Sequence, residues 1–420
     1  MRISSDGPFI TSPHAVPPAK VRLELFNDLD AVEPVWRAFE QNADCTVFQR
    51  FDWLSEWHAH VGRPRHCKPV IVLISDERGN LLILLPLAIE REGMLRRLTW
   101  LGSDLCDYNA PLLAASFNEV VPPERFRHLW RQIVDAVRAM PLHRFDLVDM
   151  DKMPALVGAQ SNPMLNLAVL PRTYSAHAAS LGDNWEEFCG AKTTGQTRKR
   201  DRRRLRRLTE SGEVRFVHAS GCDEITETMN VLITQKRHYL ARKGVEDLFT
   251  RAGYREFFRA VVLNPHLSDV VHVSRVDVNA TPVAAGLGLM HKNCYHLVMS
   301  SYRDGDVARF GPGRVHLMEL FRHAIERRAA KFDFTIGDEP YKRDWCDIEL
   351  KVVGYLEAAT TMGGLVAAAR SAILRGDFFI RQKPKLRRPL SKVRVAALAL
   401  RRRLRRGVTA VRGAAARTVG

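Results

Sequence analysis

The segment Val270 to Trp345 constrains the fold of this 420-residue chain more than any other. Its apolar alternation predicts two strands around the turn Asn279 to Pro282, and Cys294 to Tyr302 predicts a third. The motif Arg-Phe-Gly-Pro-Gly at 309–313 follows, and the apolar residues after it recur at helical spacing. The strand 332–336 comes next. This order of strands, glycine turn, helix and strand predicts an α/β fold.

The Gly-Pro-Gly turn predicts an anion-binding site. Gly311 and Gly313 stand where a helix begins, and unpaired backbone N–H groups together with the helix dipole favour an anion at that position. Arg309 and Arg314 place two guanidinium groups beside the turn. An ordinary tight turn is the alternative interpretation.

Composition indicates a globular chain of more than one domain. Hydrophobic residues make up 46% of it, which is ample for buried cores. The seven cysteines form neither a Cys-x-x-Cys motif nor a Cys/His cluster, so no metal site and no disulfide framework is predicted and a reducing cytoplasm fits. Residues 1–20 carry no continuous apolar core and are predicted to be a flexible leader.

The net charge of +17 is concentrated in two segments. Residues 365–420 hold 16 Lys/Arg and one Asp, and residues 192–207 hold nine Lys/Arg and one Asp. The remainder has 39 basic and 45 acidic residues. The C-terminal tail could contact anionic lipid at the inner membrane, which would make the protein peripheral there; a solvated tail is the alternative, and nucleic acid ranks below both.

The second basic segment predicts a helix. Leu205 and Leu208 would pack inward, while Arg198 and Arg202 would lie on the surface. Because guanidinium groups suit phosphate and carboxylate recognition, we expect this helix to bind an anionic substrate or nucleotide phosphates. A surface helix with solvated charge is the alternative.

The N-terminal half repeats the order of an α/β unit. Its predicted elements are helices at 30–42, 51–61 and 123–140 and strands at 70–75, 81–89 and 145–150. Two successive units joined near residues 155–180 indicate an internal duplication of one fold, although the halves share no obvious sequence repeat.

Four motifs carry a resemblance to a known family: Phe51 to Leu54, Trp100 to Tyr108 with the following Pro111-Leu112, the helix Arg198 to Leu208, and Phe332 to Lys342. Over roughly residues 22–358 the chain resembles the CelD/BcsL-like acetyltransferases of cellulose and exopolysaccharide biosynthesis. These are part of the GNAT superfamily and are related to the FemAB-type peptidoglycan aminoacyltransferases.

The resemblance implies a tandem GNAT-like α/β (α+β) fold with mixed sheets flanked by helices. The implied divisions are a leader at 1–20, GNAT-like domains at 21–160 and 161–360, and a basic tail at 361–420. It also implies acetyl-CoA or another acyl-CoA as co-substrate, with no metal. In this superfamily an Arg/Gln-x-x-Gly-x-Gly/Ala loop holds the CoA pyrophosphate. Here the spacing is one residue shorter, and the implied cofactor-binding residues are Arg309, Gly311, Gly313 and Arg314.

Polar residues after the strand 332–336 are the candidate catalytic groups. Acyl transfer needs a base for the acceptor proton, donors for the oxyanion and an acid for the leaving thiolate. Asp338 or Glu339 would be the base, Tyr341 the acid, and Lys342 an anchor for phosphate or carboxylate. A polar turn is the alternative.

Two further groups of residues complete the predicted site. Asp104, Asp107 and Tyr108 form a polar cluster that could meet the C-terminal site across the domain junction, with Asp107 and Tyr108 binding substrate. A loop packed against its own domain is the alternative. His296 and His316 are alternative bases.

The function expected from these observations is transfer of an acyl group from acyl-CoA to a hydroxyl or amine of an envelope or exopolysaccharide-related acceptor. One alternative is FemAB-like transfer from aminoacyl-tRNA, with the arginine-rich helix gripping RNA phosphates. The other is a non-catalytic scaffold of a polysaccharide-synthesis complex.

Overall fold

A computed structural model describes residues 21–141, 143–337 and 339–382, with the backbone alone at 172–174 and 377–382. The predicted leader at 1–20, the end of the predicted tail at 383–420 and Asp338 lie outside the described residues. Within those described ranges no helix is both long and apolar enough to cross a membrane.

The described residues contain fifteen β-strands and ten α-helices. The strands are β1 Val21–Phe26, β2 Lys68–Asp76, β3 Leu81–Glu92, β4 Leu95–Trp100, β5 Leu112–Leu113, β6 Leu147–Pro154, β7 Leu156–Val157, β8 Gln160–Ser161, β9 Leu170–Ser180, β10 Val214–His218, β11 Val271–Val278, β12 Thr281–His291, β13 Cys294–Tyr302, β14 Lys331–Ile336 and β15 Ile348–Ala358. The α-helices are α1 Leu29–Glu40, α2 Phe51–Trp57, α3 Phe117–Val120, α4 Pro123–Ala139, α5 Trp185–Lys192, α6 Gly195–Glu210, α7 Gly221–Arg242, α8 Tyr254–Leu263, α9 Pro312–Glu326 and α10 Thr361–Gln382.

One mixed sheet runs through both halves of the chain. Its order is β1-β2-β3-β4-β6-β15-β9-β14-β13-β12-β11-β10, with β5 added beside β3. Each half contributes an antiparallel run of four strands that ends in a parallel pair, β4 with β6 and β13 with β14. The two halves of the order therefore mirror each other, which confirms the predicted tandem α/β fold with a mixed sheet.

The two halves join through strand β15. Strand β15, from the end of the second unit, pairs with β6, while β9 pairs with both β14 and β15. This pairing joins the predicted domains in one continuous sheet, and the domain boundaries remain a prediction. The predicted tail also begins inside the fold, because α10 lies against β15 and β9 and Arg370 pairs with Asp149 and Glu92.

Burial explains why the sequence forms these elements. Strands β2 and β3 are buried on both faces, so they appear in the sequence as continuous apolar runs rather than as alternation. Helix α4 begins at Pro123, whose fixed φ suits the first helical position, and it buries Phe126, Trp130 and Ile133 on one face.

The parallel pair β13/β14 opens into a fork. The two strands pair from Cys294 and Lys331 to His296 and Asp333, and the pairing stops there. Beyond it β14 contains Thr335, which is buried and has a φ of 56°. A β-branched residue rarely adopts this conformation, so strain is concentrated where the strands separate.

Candidate functional site

A cavity of about 390 Å³ lies where the fork opens. It is enclosed by α7, the end of β13, the start of α9 and the turn that follows β14. The residues that line it are Lys236, Tyr239, Leu297, Ser300, Ser301, Tyr302, Ala308, Gly311, Gly313, Arg314, His316, Leu317, Leu320, Glu339, Pro340 and Tyr341. Backbone and side chains of mixed polarity thus surround a space large enough for part of a small-molecule ligand.

The glycine turn forms one end of this cavity. Gly311 has a φ of 68° and caps α9, which starts at Pro312. A Cβ at Gly313 would lie 3.0 Å from Cδ1 of Tyr302, so a side chain there would press into the ring. Gly311 and Gly313 both line the cavity, and the positive end of the α9 dipole therefore faces into it.

Asp201 fastens the arginine-rich helix α6 to the start of α9. Its buried carboxylate accepts hydrogen bonds from Nε and Nη2 of Arg314 at 3.2 and 3.0 Å and from Nη1 of Arg204 at 2.8 Å. Arg314 also lies 3.4 Å from Asp344 and stacks over the Trp345 ring. Arg314 is therefore a fixed part of the cavity wall whose charge Asp201 compensates.

Arg309 lies elsewhere. It is exposed, its guanidinium covers the Phe310 ring at 4.9 Å, and it is not among the lining residues. The structure thus brings Gly311, Gly313 and Arg314 together at the cavity and leaves Arg309 on the outer side of the same turn.

The residues after β14 are divided between the cavity and the interior. Glu339 and Tyr341 line the cavity. Desolvation, followed by the Glu339 carboxylate, raises the pKa of Tyr341 above its usual range, so its hydroxyl stays protonated at neutral pH. These two side chains can serve as a proton acceptor and a proton donor.

Lys342 is a structural residue here rather than a free anchor. It is buried, and its Nζ donates to Phe334 O and Gly337 O at 3.1 Å each and lies 2.8 Å from Oε2 of Glu339. These contacts use the three donors of an ammonium group, which leaves none for a phosphate. The prediction of an anion-binding Lys342 is corrected accordingly: the side chain fixes the turn after β14.

Lys236 is a site residue that the sequence did not reveal. It lies on α7, lines the cavity, and its Nζ is 3.4 Å from Ser300 O. Burial lowers its pKa, although Glu339 partly opposes this effect. A single lysine in a long helix gives no sequence signal of this position. Asp201, in contrast, is the only acidic residue of the basic segment 192–207, and that isolation could have indicated it.

A buried polar cluster lies beneath the fork and joins the two halves. Tyr108 donates its hydroxyl to the Asp333 carboxylate at 2.9 Å, and His296 Nδ1 lies 3.6 Å from the same carboxylate. Burial alone would lower the pKa of His296, but Cys294 and Asp333 raise it to about 10. In its protonated form His296 can donate a proton or stabilise negative charge.

The hydrogen bond from Tyr108 to Asp333 is a direct contact between the two halves. Burial, followed by the Asp333 carboxylate, raises the pKa of Tyr108 well above its usual range. Burial also raises the pKa of Asp107, against the opposing effect of Lys152. Neither Asp107 nor Tyr108 lines the cavity, so both lie below the substrate space rather than on its wall.

The arginines of α6 divide in a similar way. Arg198 donates to the carbonyl oxygens of Gly190 and Thr193, which fastens the start of α6 to the end of α5. Arg202 is exposed on the outer face. The roles of Arg198 and Arg202 in substrate binding remain predictions. Of the two side chains, Arg202 is the more exposed.

Comparison with known proteins identifies the second half of the chain. Residues 195–343 match the model of the acetyltransferase (GNAT) domain, and this range contains α6, the fork, the glycine turn and the cavity. No curated protein matches the chain. The crystal structure of FemX superposes with a TM-score of 0.53 and 10% sequence identity, covering 80% of this chain and 95% of FemX.

Two other solved structures match with lower TM-scores. L-PGS from Bacillus licheniformis gives a TM-score of 0.48 at 10% identity, covering 82% of this chain and 97% of that one. A tandem GNAT protein from the clavulanic acid biosynthesis pathway gives 0.45 at 10% identity, with 81% and 99% covered. The domain match shows a GNAT acetyltransferase domain at residues 195–343, and the superposition with FemX shows a shared fold across both halves.

Proposed function

We propose that the protein transfers an acetyl or other acyl group from acyl-CoA to a hydroxyl or amine of an envelope or exopolysaccharide-related acceptor. The observation that carries this proposal is the cavity at the N-terminus of α9, inside the matched range 195–343. It combines a helix N-terminus suited to phosphate with a fork between parallel strands that can admit an extended thioester arm.

The cavity residues suggest how the reaction would proceed. Backbone groups at Gly311 and Gly313 would face the CoA pyrophosphate. The acceptor oxygen or nitrogen would attack the thioester carbonyl while Glu339 takes its proton, and the C–S bond would break as Tyr341 protonates the leaving thiolate. Lys236 would stabilise the negative charge that develops on the carbonyl oxygen. Asp338 stays an alternative base outside the described residues.

The acceptor is inferred from the resemblance to the CelD/BcsL-like enzymes and from charge. The outer face of α6 carries exposed arginines, Arg202 among them, beside the end of the cavity where Arg204 contacts Gly311. Such a surface suits an acceptor that bears phosphate or carboxylate groups, as many envelope precursors do. The proposed contact of the basic tail with anionic membrane would bring the enzyme to such acceptors.

A second candidate function is transfer from aminoacyl-tRNA, and the exposed arginines of α6 favour it. The side chains concerned are Arg200, Arg202, Arg203, Arg206 and Arg207. A helix of this charge could follow an RNA backbone, and the affinity for RNA would then fall steeply as salt is added. The acyl-CoA proposal predicts weak, sequence-independent RNA binding that does not lead to transfer.

The proposal is tested by measuring CoA release. Acetyl-CoA and a panel of amino and hydroxyl sugars would be incubated with the protein, and free CoA would be quantified by chromatography. We expect Tyr341→Phe and Glu339→Gln each to lower turnover by about 10²-fold or more, because each removes a proton-transfer group. Glu187→Gln, a matched change at an exposed position of α5, should leave turnover unchanged.

Two results would count against this proposal. Full turnover in both Tyr341→Phe and Glu339→Gln would show that the reaction does not take place in this cavity. Transfer from aminoacyl-tRNA, with none from acetyl-CoA across the whole panel, would favour the second candidate function.

A further inference from the structure

Three histidines meet on the second half of the sheet, away from the cavity. His218 comes from β10, His272 from β11 and His323 from the last turn of α9. Nδ1 of His218 lies 2.9 Å from Nε2 of His272, and the His272 and His323 rings stack with centroids 3.9 Å apart. One nitrogen from each ring falls within 4.8 Å of the other two.

A fixed tyrosine orients the central ring. Tyr295 is fully buried on β13, and its hydroxyl lies 2.8 Å from Nδ1 of His272. A Cβ at Gly288 would lie 2.1 Å from the same hydroxyl oxygen, so glycine at 288 keeps this position open for the tyrosine. The Nδ1–H of His272 can donate to Tyr295, which leaves the lone pair of Nε2 directed at His218. A partner of this kind is typical behind a metal-binding histidine.

Burial lowers the pKa of all three imidazoles. Burial, followed by the neighbouring histidines, lowers the pKa of His272 to about 2. Burial and His218 lower the pKa of His323 to about 4, and burial lowers that of His218. A metal ion would take the place of the proton that His218 and His272 share at 2.9 Å.

We propose that His218, His272 and His323 bind one transition-metal ion, with Zn²⁺ the expected occupant. Neutral imidazole nitrogens at about 2.0–2.1 Å are favoured zinc ligands, and ligands of a tetrahedral site lie about 3.3 Å apart. Small rotations of His218 and His323, which are exposed and partly exposed, would widen the 2.9 Å contact between His218 and His272 and bring the His323 nitrogen closer. A water molecule would be the fourth ligand of a tetrahedral site.

The site is separate from the acyl-transfer cavity. His316 lines that cavity, whereas His323 lies two turns further along α9, a helical rise of about 10 Å, and none of the three histidines is among the lining residues. The ion would bind two adjacent strands and a helix, bracing the edge strand β10 that follows α6. The spacing of Cys and His along the chain predicted no metal, because these ligands come from three distant elements.

Zinc titration of the full-length protein tests this inference. Protein freed of metal by a chelator would be titrated calorimetrically with Zn²⁺, and bound zinc would be counted by elemental analysis. We expect one zinc per chain with a Kd of micromolar order or tighter. His218→Gln, at an exposed position, should weaken binding at least tenfold, and Tyr295→Phe, which keeps the packing, should weaken it about 10- to 100-fold.

Matched controls decide where the ion binds. His238→Gln changes an exposed histidine of α7 outside the cluster and should bind zinc as the wild type does. Cys294→Ser tests the other group of potential ligands, Cys294, His296 and Asp333. Absence of saturable binding, binding unchanged in His218→Gln, or loss of the site in Cys294→Ser alone would each overturn the proposal.

Discussion

The substitution Asp201→Asn tests whether one buried carboxylate holds the arginine-rich helix α6 against the start of α9. Asp201 is 5% exposed and accepts three hydrogen bonds from Arg204 and Arg314, whose side chains are 33% and 11% exposed. Breaking a buried ion pair by removing one partner costs about 3–5 kcal/mol. Asparagine keeps one acceptor oxygen and Arg314 keeps Asp344, so we expect a cost of about 2–3 kcal/mol.

Asp344→Asn is the matched control. It makes the same chemical change in a second partner of Arg314, but Asp344 is 49% exposed and its contact with Arg314 is 3.4 Å long. Because exposed ion pairs contribute about 0–1 kcal/mol, this variant should lose less than about 1 kcal/mol. The contrast compares a buried carboxylate that accepts three hydrogen bonds with an exposed one that makes a single long contact with the same arginine.

Native-state hydrogen exchange measures this effect locally. The amides of α6 report the free energy of opening of that helix, independent of unfolding elsewhere in the chain. Asp201→Asn should lower that opening free energy by about 2–3 kcal/mol, while Asp344→Asn should leave it nearly unchanged. Equal losses in the two variants, or no loss in Asp201→Asn, would refute this account of the contact between α6 and α9.

Three further predictions concern other parts of the molecule. Gly253→Ala should lower the free energy of unfolding, measured with denaturant, by more than about 3 kcal/mol, because Gly253 has a φ of 82° and its new Cβ would lie 1.9 Å from His60 O. Gly79→Ala is the control: Gly79 has a φ of 83° but nothing within 4 Å, so the loss should be only about 1 kcal/mol. The folded pKa of His323, about 4, lies below an unfolded value near 6.5. Between these values the unfolded chain binds the extra proton, so the free energy of unfolding falls as pH drops. His323→Asn should remove about 1–2 kcal/mol of the free energy of unfolding that is lost between pH 7 and pH 5, and an unchanged pH profile would contradict this. Lys236→Met should lower acyl transfer about tenfold or more without loss of stability, because it removes a desolvated charge from the cavity wall; undiminished turnover would exclude its proposed role.

Much of the fold could be predicted because its signals are local. The predicted strand from Cys294 to Tyr302 is β13, and the helix expected after the Gly-Pro-Gly turn is α9, which starts at Pro312. Both have strong periodicity and clear boundaries. The predicted helix at 123–140 matches α4 for the same reason. Local hydrophobic patterns and turn residues were sufficient in these segments.

The joining of the halves could not be predicted, because it depends on pairing between distant segments. Strand β15 lies between β6 and β9, and nothing near residues 348–358 encodes these partners. Helix α8, Tyr254–Leu263, was also missed, although it buries Phe257 and Phe258 on one face. Its short length gives a weak periodic signal compared with the long α7 before it.

The candidate site was only partly visible in the sequence for a similar reason. Gly311 and Gly313 can be recognised from the sequence, because a glycine turn before a helix is a local motif. Lys236 comes into the cavity from α7, and Lys342 turns inward to bond backbone carbonyl groups. Which lysine faces a ligand and which supports a turn is decided by tertiary packing, which residue type alone does not specify.

Calorimetric titration of acetyl-CoA into the full-length protein and two variants tests the central claim most directly. Gly313→Asp would place a carboxylate where the pyrophosphate is proposed to lie, while Gly182→Asp adds the same charge at an exposed position with nothing within 4 Å. We predict saturable one-to-one binding to the wild type and to Gly182→Asp, with binding abolished in Gly313→Asp. No binding to the wild type, or equal binding to all three proteins, would contradict an acyl-CoA site at the start of α9.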